Sequence, residues 1–560
     1  MWYGTSNNFG KGMLRNVSMK YIKFAIFCAV IAHTTITPLD DYTNHTYMFV
    51  RPVFDSIGIQ QSSWNNIVFN KQKHGSAFQI YPILQQSYPN LNNPAYFFFN
   101  GLNQITIQAG TTSTFQMPGT TPAVAQPQVN PSSAAQGQMY VPSFNRDILG
   151  QWVGIDALTA APSTSVGSGV NMTLEPSQRT ACVLAEFSQD LHKFSDISVF
   201  QNWFINISVP ITWIENNLGI RGDKAAIDAM NSQNFTFVKM TPGTMDSVRL
   251  TQVAISLGTR YTGEPDTHVI STTGVIVPLV EQDCNGSIFQ PVQGFNSHFG
   301  FDTTALFQFP ICQKNEYSNS KLLFFFDLHN IFLARNHQLR TYDIRNKPFS
   351  RYLLLYDRAT NQTVSAMNAL TLRSRVEPFV VTNFATGLRM KYKESIGEIG
   401  YELWAHGAEV ITPESKGEYH EDTCNYWVDD RYGIAFINTA GQLAKINNTT
   451  GAVEALAPGE IGQTASNSTI NYVAAPDGEP SCCPTPTFTQ KNVYLRLVDL
   501  DRLSCAAQPT ITHRAYMSVG FGNKGNTRDC FANFGLFIEA SQNNAALCFW
   551  GGWFKAGMTF

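Results

Sequence analysis

Charge is scarce in this chain of 560 residues: Asp, Glu, Lys and Arg together make up 14% of it, against roughly 25% in soluble domains. Long apolar runs are scarce too. After residue 32 no stretch approaches the ~20 residues that a membrane helix needs, and mean hydropathy is only −0.14. A bundle of membrane helices is therefore excluded. The net charge of −3 gives no reason to expect nucleic acid as a partner. Several reaction signatures are missing as well. There is no Gly-x-Ser-x-Gly elbow, no Gly-x-x-x-x-Gly-Lys phosphate loop or His-Glu-x-x-His helix, and no Cys-x-x-Cys spacing for zinc. The sequence predicts neither an enzyme nor a cofactor or metal site.

Aromatic residues are abundant, at 12%, with 40 Phe and 21 Tyr. Apolar groups that are plentiful but never continuous must be spread singly, and alternation along β-strands does that. Trp203, Ile205, Ile207, Val209, Ile211 and Trp213 share one face, against Asn202, Asn206, Ser208 and Thr212 on the other. Ten such residues at ~3.3 Å each, tilted about 45°, climb roughly 23 Å, the height of the apolar band between two aromatic girdles. Phe299, Phe301, Ala305, Phe307, Phe309 and Ile311 alternate with His298, Asp302, Thr304 and Gln308. Ile399, Tyr401, Leu403 and Ala405 alternate with Glu398, Gly400, Glu402 and His406. Shorter runs of the same kind lie in 181–191, 251–261, 269–279, 322–333, 384–393, 515–521 and 532–540. A β-sandwich alternates too, but a dry core could not hold Glu398, Glu402 and His406 without full pairing.

The expected fold is all-β, an antiparallel transmembrane β-barrel of about 14 strands, within roughly 12–16. Short links at 192–201, 262–267, 312–320, 394–397 and 523–528 alternate with long ones at 156–178, 214–246, 281–296, 335–383 and 408–510. That is the rhythm of short periplasmic turns and long extracellular loops. It has an exception in the last hairpin, where the outer link 541–547 is short, and it fails toward the amino end, where 88–94 is short and 109–140 is long and polar. Lys11, Arg15, Lys20 and Lys23 precede the apolar run 24–32, the pattern of a cleaved secretory signal ending near Ala32. Residues 33–74 then form a periplasmic or lumen-inserted segment, and 75–560 form the barrel, with 408–510 as a long extracellular cap.

The carboxyl end alternates as well: Trp550, Gly552, Phe554, Ala556, Met558 and Phe560 fall on one face and Lys555, Gly557 and Thr559 on the other. This ending resembles the terminal strand of outer-membrane β-barrel proteins of Gram-negative bacteria. The whole mature chain is similar to porin-like barrels, and segments such as Arg345–Tyr352 and His513–Tyr516 resemble large, functionally undescribed barrels of host-associated bacteria. The resemblance implies an outer-membrane location, lipid as surroundings, and recognition of Phe554, Met558 and Phe560 by the barrel assembly machinery. It carries no substrate.

The polar faces place Arg260, Asp302, Asp327, His329, Arg389, Lys391, Glu398, Glu402, His406, Glu539 and Lys555 toward a watery lumen. Mixed signs on a pore wall suit a general channel for small hydrophilic solutes, in a barrel that could form homo-oligomers. The alternative is a surface adhesin or structural barrel whose 408–510 loop binds a partner. Asp327 with His329, and Glu402 with His406, share strand faces and form the only acid–base pairs worth considering. Cys424, Cys482, Cys483 and Cys505 could staple the long loop with disulfides. After loss of Cys28 an odd number of cysteines remains, so at least one is unpaired within the chain.

Overall fold

The computed structural model describes residues 45–62, 75–89, 170–193, 202–263, 267–280, 286–313, 320–345, most of 349–414, 495–524 and 528–560, with short pieces elsewhere. Twelve of its strands form one closed antiparallel ring: β1 (Ser76–Tyr88), β2 (Ser177–Asp190), β3 (Trp203–Asn217), β4 (Gln252–Gly263), β5 (Thr267–Pro278), β6 (Gly300–Gln313), β7 (Ser320–Leu333), β8 (Val381–Tyr392), β9 (Ser395–His406), β10 (Thr510–Lys524), β11 (Asp529–Ser541) and β12 (Cys548–Thr559). Each strand pairs with its sequence neighbours, and β12 pairs with β1 to close the ring. The Ser76 and Phe560 backbones exchange two hydrogen bonds, of 3.0 and 2.9 Å, at the seam. Twelve residues at ~3.3 Å, tilted about 40°, rise roughly 30 Å, enough to cross a bilayer core.

One further strand, Thr244–Leu250, lies outside the ring and pairs with the upper half of β3. It continues the line of β4 past a bulge. The β3 register shifts by one residue between its two partners, and the Thr251 N–H donates to the Pro210 carbonyl at 3.2 Å across the shift. Pro210 has no N–H for the ladder, so the pairing is interrupted there on the β4 side, while the β2 side runs through it without a shift.

The links 191–202, 264–266, 314–319, 393–394 and 525–528 all lie at one end, the turn end, with Ser76 and Phe560. The links 89–176, 218–251, 279–299, 334–380, 407–509 and 542–547 lie at the other, the loop end. The irregularity at the amino end is thereby resolved. A single strand is followed by one long link, and the Gln104–Gln108 stretch pairs with Val170–Thr173 in a small sheet separate from the barrel.

The outer surface is apolar. Leu84, Ile255, Ile399, Met517, Val519 and Leu536 are exposed around its middle. Aromatics ring both ends: Tyr261, Tyr392, Phe521 and Phe560 at the turn end, and Phe299, Phe332 and Trp550 at the loop end. Ile399 is 71% exposed whereas its neighbour Glu398 is buried, so the faces follow the strand period of two. Alternation in β3 is less regular than the sequence suggests, because Phe204 and Pro210 also point inward and are buried. At the loop end, Asn336–Thr341, Thr371–Glu377 and Val410–Pro413 form a three-stranded sheet. Its buried Leu372, Val376 and Ile411 join a continuous apolar core with Tyr342, Trp427, Leu500 and Cys505.

Candidate functional site: the barrel interior

Residues 45–62 run through the interior. His45 donates its backbone N–H to the Tyr96 carbonyl at 3.0 Å, and Thr46 does the same to Ser504 at 2.9 Å, both within loop-end links. The Arg340 guanidinium stacks on the Tyr47 ring, 3.4 Å from its centroid. Burial pushes the His45 imidazole down to about 3, so it sits there neutral.

Halfway down, Arg51 is the hub. Its guanidinium donates to Glu402 at 2.7 Å, to Glu539 at 3.2 Å and to its own segment's Asp55 carbonyl at 2.6 Å. Arg514 donates to Glu539 at 2.7 Å from Nε and lies 3.7 Å from Glu402. Glu402 also accepts from the Ser56 hydroxyl at 2.8 Å and the Ile57 N–H at 2.9 Å. The Asp55 carboxylate accepts from the Trp404 indole at 2.8 Å.

Below this layer Ser56 caps the helical turn Ile57–Gln61, accepting from the Ile59 N–H. The turn's last carbonyls have no helical partner. Lys555 supplies one, donating to the carbonyls of Ile59, Gln60 and Ser62 at 2.5, 2.8 and 2.9 Å. Gly58 is required at this point, since a Cβ there would come within 2.6 Å of the Tyr516 ring.

Nine of the eleven residues expected on the lumen wall are buried on the inner face, and His329 and Lys391 are half-buried on the same face, Lys391 near the turn end. Their surroundings differ from a watery lumen. Glu402 and Glu539 are tied to the threaded segment and Arg514, and Lys555 to the segment's backbone. Arg389 pairs with Glu398 at 2.8 Å and bonds Gln308, and Arg260 pairs with Asp190. Much of the pairing that a dry interior would need is therefore present, and the segment supplies a large share of it, although His406 Nε2 and Asp302 Oδ1 have no hydrogen-bond partner among the described residues. Among the described residues a cavity of about 100 Å³ lies between Phe54, Asp55 and Gln60 and the wall residues Glu186, Asn206, Ser208, Asp302, Thr304 and His329.

The two acid–base pairs do not form. His329 faces Asp302 at 3.7 Å and Asp55 at 3.8 Å rather than Asp327. His406 Nδ1 lies 2.7 Å from the Gly407 carbonyl, away from Glu402. Neither carboxylate oxygen of Asp327 has a hydrogen-bond partner among the described residues.

Cys505 carries a free, buried thiol, whose Sγ donates to the Arg502 carbonyl at 3.3 Å, so it staples nothing. Cys424, Cys482 and Cys483 lie outside the described residues, as does the expected signal, 1–32. Nothing local in the sequence marks the inward aromatics Tyr81, Tyr516, Phe537 and Trp553. Their signal was available only in register: each sits at even spacing from an inward Lys, Arg or Glu on its own strand or pairs across with one. Phe554, Met558 and Phe560 face outward and are exposed.

A closed ring with an apolar belt outside and a charged, paired interior is now complete. The chain has the fold of an outer-membrane β-barrel. Among solved structures it is similar to an outer-membrane channel from Pseudomonas putida F1, with a TM-score of 0.33 and 7% identity over 87% of this chain and 96% of that one. It is also similar to the transport unit of the autotransporter AIDA-I from Escherichia coli, with a TM-score of 0.30 and 7% identity over 91% and 99%. A third is the CymD monoaromatic hydrocarbon channel, with a TM-score of 0.28 and 9% identity over 90% and 94%. No protein-family model and no curated protein matches the chain.

Proposed function

We propose that this barrel sits in the outer membrane and acts as a porin-like channel for small hydrophilic solutes, held shut by residues 45–62. The observation that carries the reading is the chemistry of the contact between segment and wall. Arg51, Ser56 and the carbonyls of Ile59, Gln60 and Ser62 meet Glu402, Glu539 and Lys555. Water can replace each of these contacts once the segment leaves, and the wall then exposed is polar and of mixed sign. An interior meant to stay filled would be served as well by apolar side chains, which often match or exceed buried ion pairs in stability. The belt of exposed Ile, Leu, Val and Phe supports the membrane setting.

The test is solute-driven swelling of vesicles carrying the Arg51→Ala chain, with sugars of increasing size. Swelling that slows as the sugar grows supports a hydrophilic pore. Rates equal to protein-free vesicles for every sugar would sink it. The alternative of a surface-binding barrel has one observation in its favour, the folded sheet and core at the loop end. Binding to host or matrix surfaces with no conductance would select it.

A further inference from the structure

We infer that the barrel presents its own amino terminus at the loop end, on the opposite side of the membrane from its carboxyl terminus, with residues 45–62 as the threaded connection. The inference rests on the outer-membrane location proposed above, with the turn end toward the periplasm.

The direction of threading follows from the order of contacts. His45, Thr46 and Tyr47 meet only loop-end partners: Tyr96, Leu503, Ser504, Thr341, Asn296 and Arg340. Arg51 to Ile57 meet Glu402, Glu539 and Trp404, inward positions farther from the mouth. Ile59 to Ser62 meet Lys555 and Asn533, toward the turn end. The chain therefore descends, and it reaches β1 at Ser76, beside Phe560, at the turn end. Eighteen residues could span at most about 60 Å when extended, ample for a wall roughly 30 Å high, even with one helical turn included. A hairpin that entered and left by the turn end would place His45 beside Ser62, and their partners lie at opposite ends of the barrel.

Two consequences follow. Both ends of the barrel sheet meet at the turn end, so the segment must be enclosed as the ring closes or drawn through it afterwards. Whatever precedes His45 in the folded protein then begins at the loop mouth. While the segment is docked, the barrel thus carries a second function, the display of its amino-terminal peptide on the cell surface.

The experiment places one short epitope between Asp40 and Asp41, a second in the 408–510 link between Ser466 and Asn467, and a third between Asn526 and Thr527 in a turn. Each is introduced into the full chain, with retention verified on denatured protein. In intact cells, antibody should bind the first two epitopes and reach the third only after permeabilisation. Binding at 466 with the 40–41 epitope detected only after permeabilisation would overturn the threading and leave the barrel's location standing. Silence of both in intact cells would overturn the location, and this inference with it.

Discussion

Replacing Arg51 by Ala tests the interior contact where it is most concentrated. The guanidinium is buried and bonds Glu402, Glu539 and the Asp55 carbonyl. Removing one partner of a buried pair costs about 3–5 kcal/mol, because the remaining charge is left uncompensated. Here the penalty falls on one state alone. With the segment docked, Glu402 keeps Ser56, Ile57 and a 3.7 Å approach to Arg514, while Glu539 keeps Arg514. With the segment gone, both carboxylates face water and nothing is lost. The full cost therefore shifts the docking equilibrium, by about a hundred- to a few thousand-fold. In planar bilayers the open probability of Arg51→Ala should rise by that factor, while heat-modifiability on gels stays that of a folded barrel. Arg51→Lys, which keeps the charge but loses the fork, should fall between. An open probability equal to wild type in a folded Arg51→Ala barrel would refute the reasoning.

Acid should also favour release. A docked His45 is held neutral, with its pKa lowered by burial to about 3 from 6.5. Docking is therefore undiminished above pH 6.5 and weakens as pH falls from there toward 3, by about 1.4 kcal/mol per unit. Open probability should climb steeply below pH 6, and His45→Gln should lower the slope by about one proton. On the outer face, Ile399→Arg should cost roughly 2–4 kcal/mol near the middle of the band, read as lost folded barrel on unheated gels; wild-type amounts would place this face away from lipid. Phe560→Ala keeps the backbone bonds to Ser76 but removes the terminal aromatic, so assembled barrel should fall with export unchanged. Full assembly would remove the role assigned to the terminal residue.

The outer face was the legible part of the sequence. Lipid and the strand period together demand an apolar residue at every second position, so Ile399, Phe301 and Phe554 declared themselves. The ring of twelve strands sits at the lower edge of the expected range because 89–176 forms one link, and its short strand Gln104–Gln108 pairs outside the barrel. The inner face was legible in position but not in partnership. Glu402 reads as a wall residue from β9 alone, yet its partner Arg51 lies 351 positions away, in a segment with no periodicity to mark it. Likewise nothing local ties Lys555 to the carbonyls of Ile59 and Ser62. Long-range polar pairing leaves no pattern in sequence, and the state of this interior depends on it.

Single-channel recording of the chain lacking residues 45–62, beside the full chain, tests the central claim most directly. Both proteins are first shown to be folded barrels by heat-modifiability. The full chain should be silent or open only briefly, and the shortened chain should show stable conductance steps that pass ions of both signs. An assembled shortened barrel that stays silent, or a full chain that conducts equally well, would contradict the account.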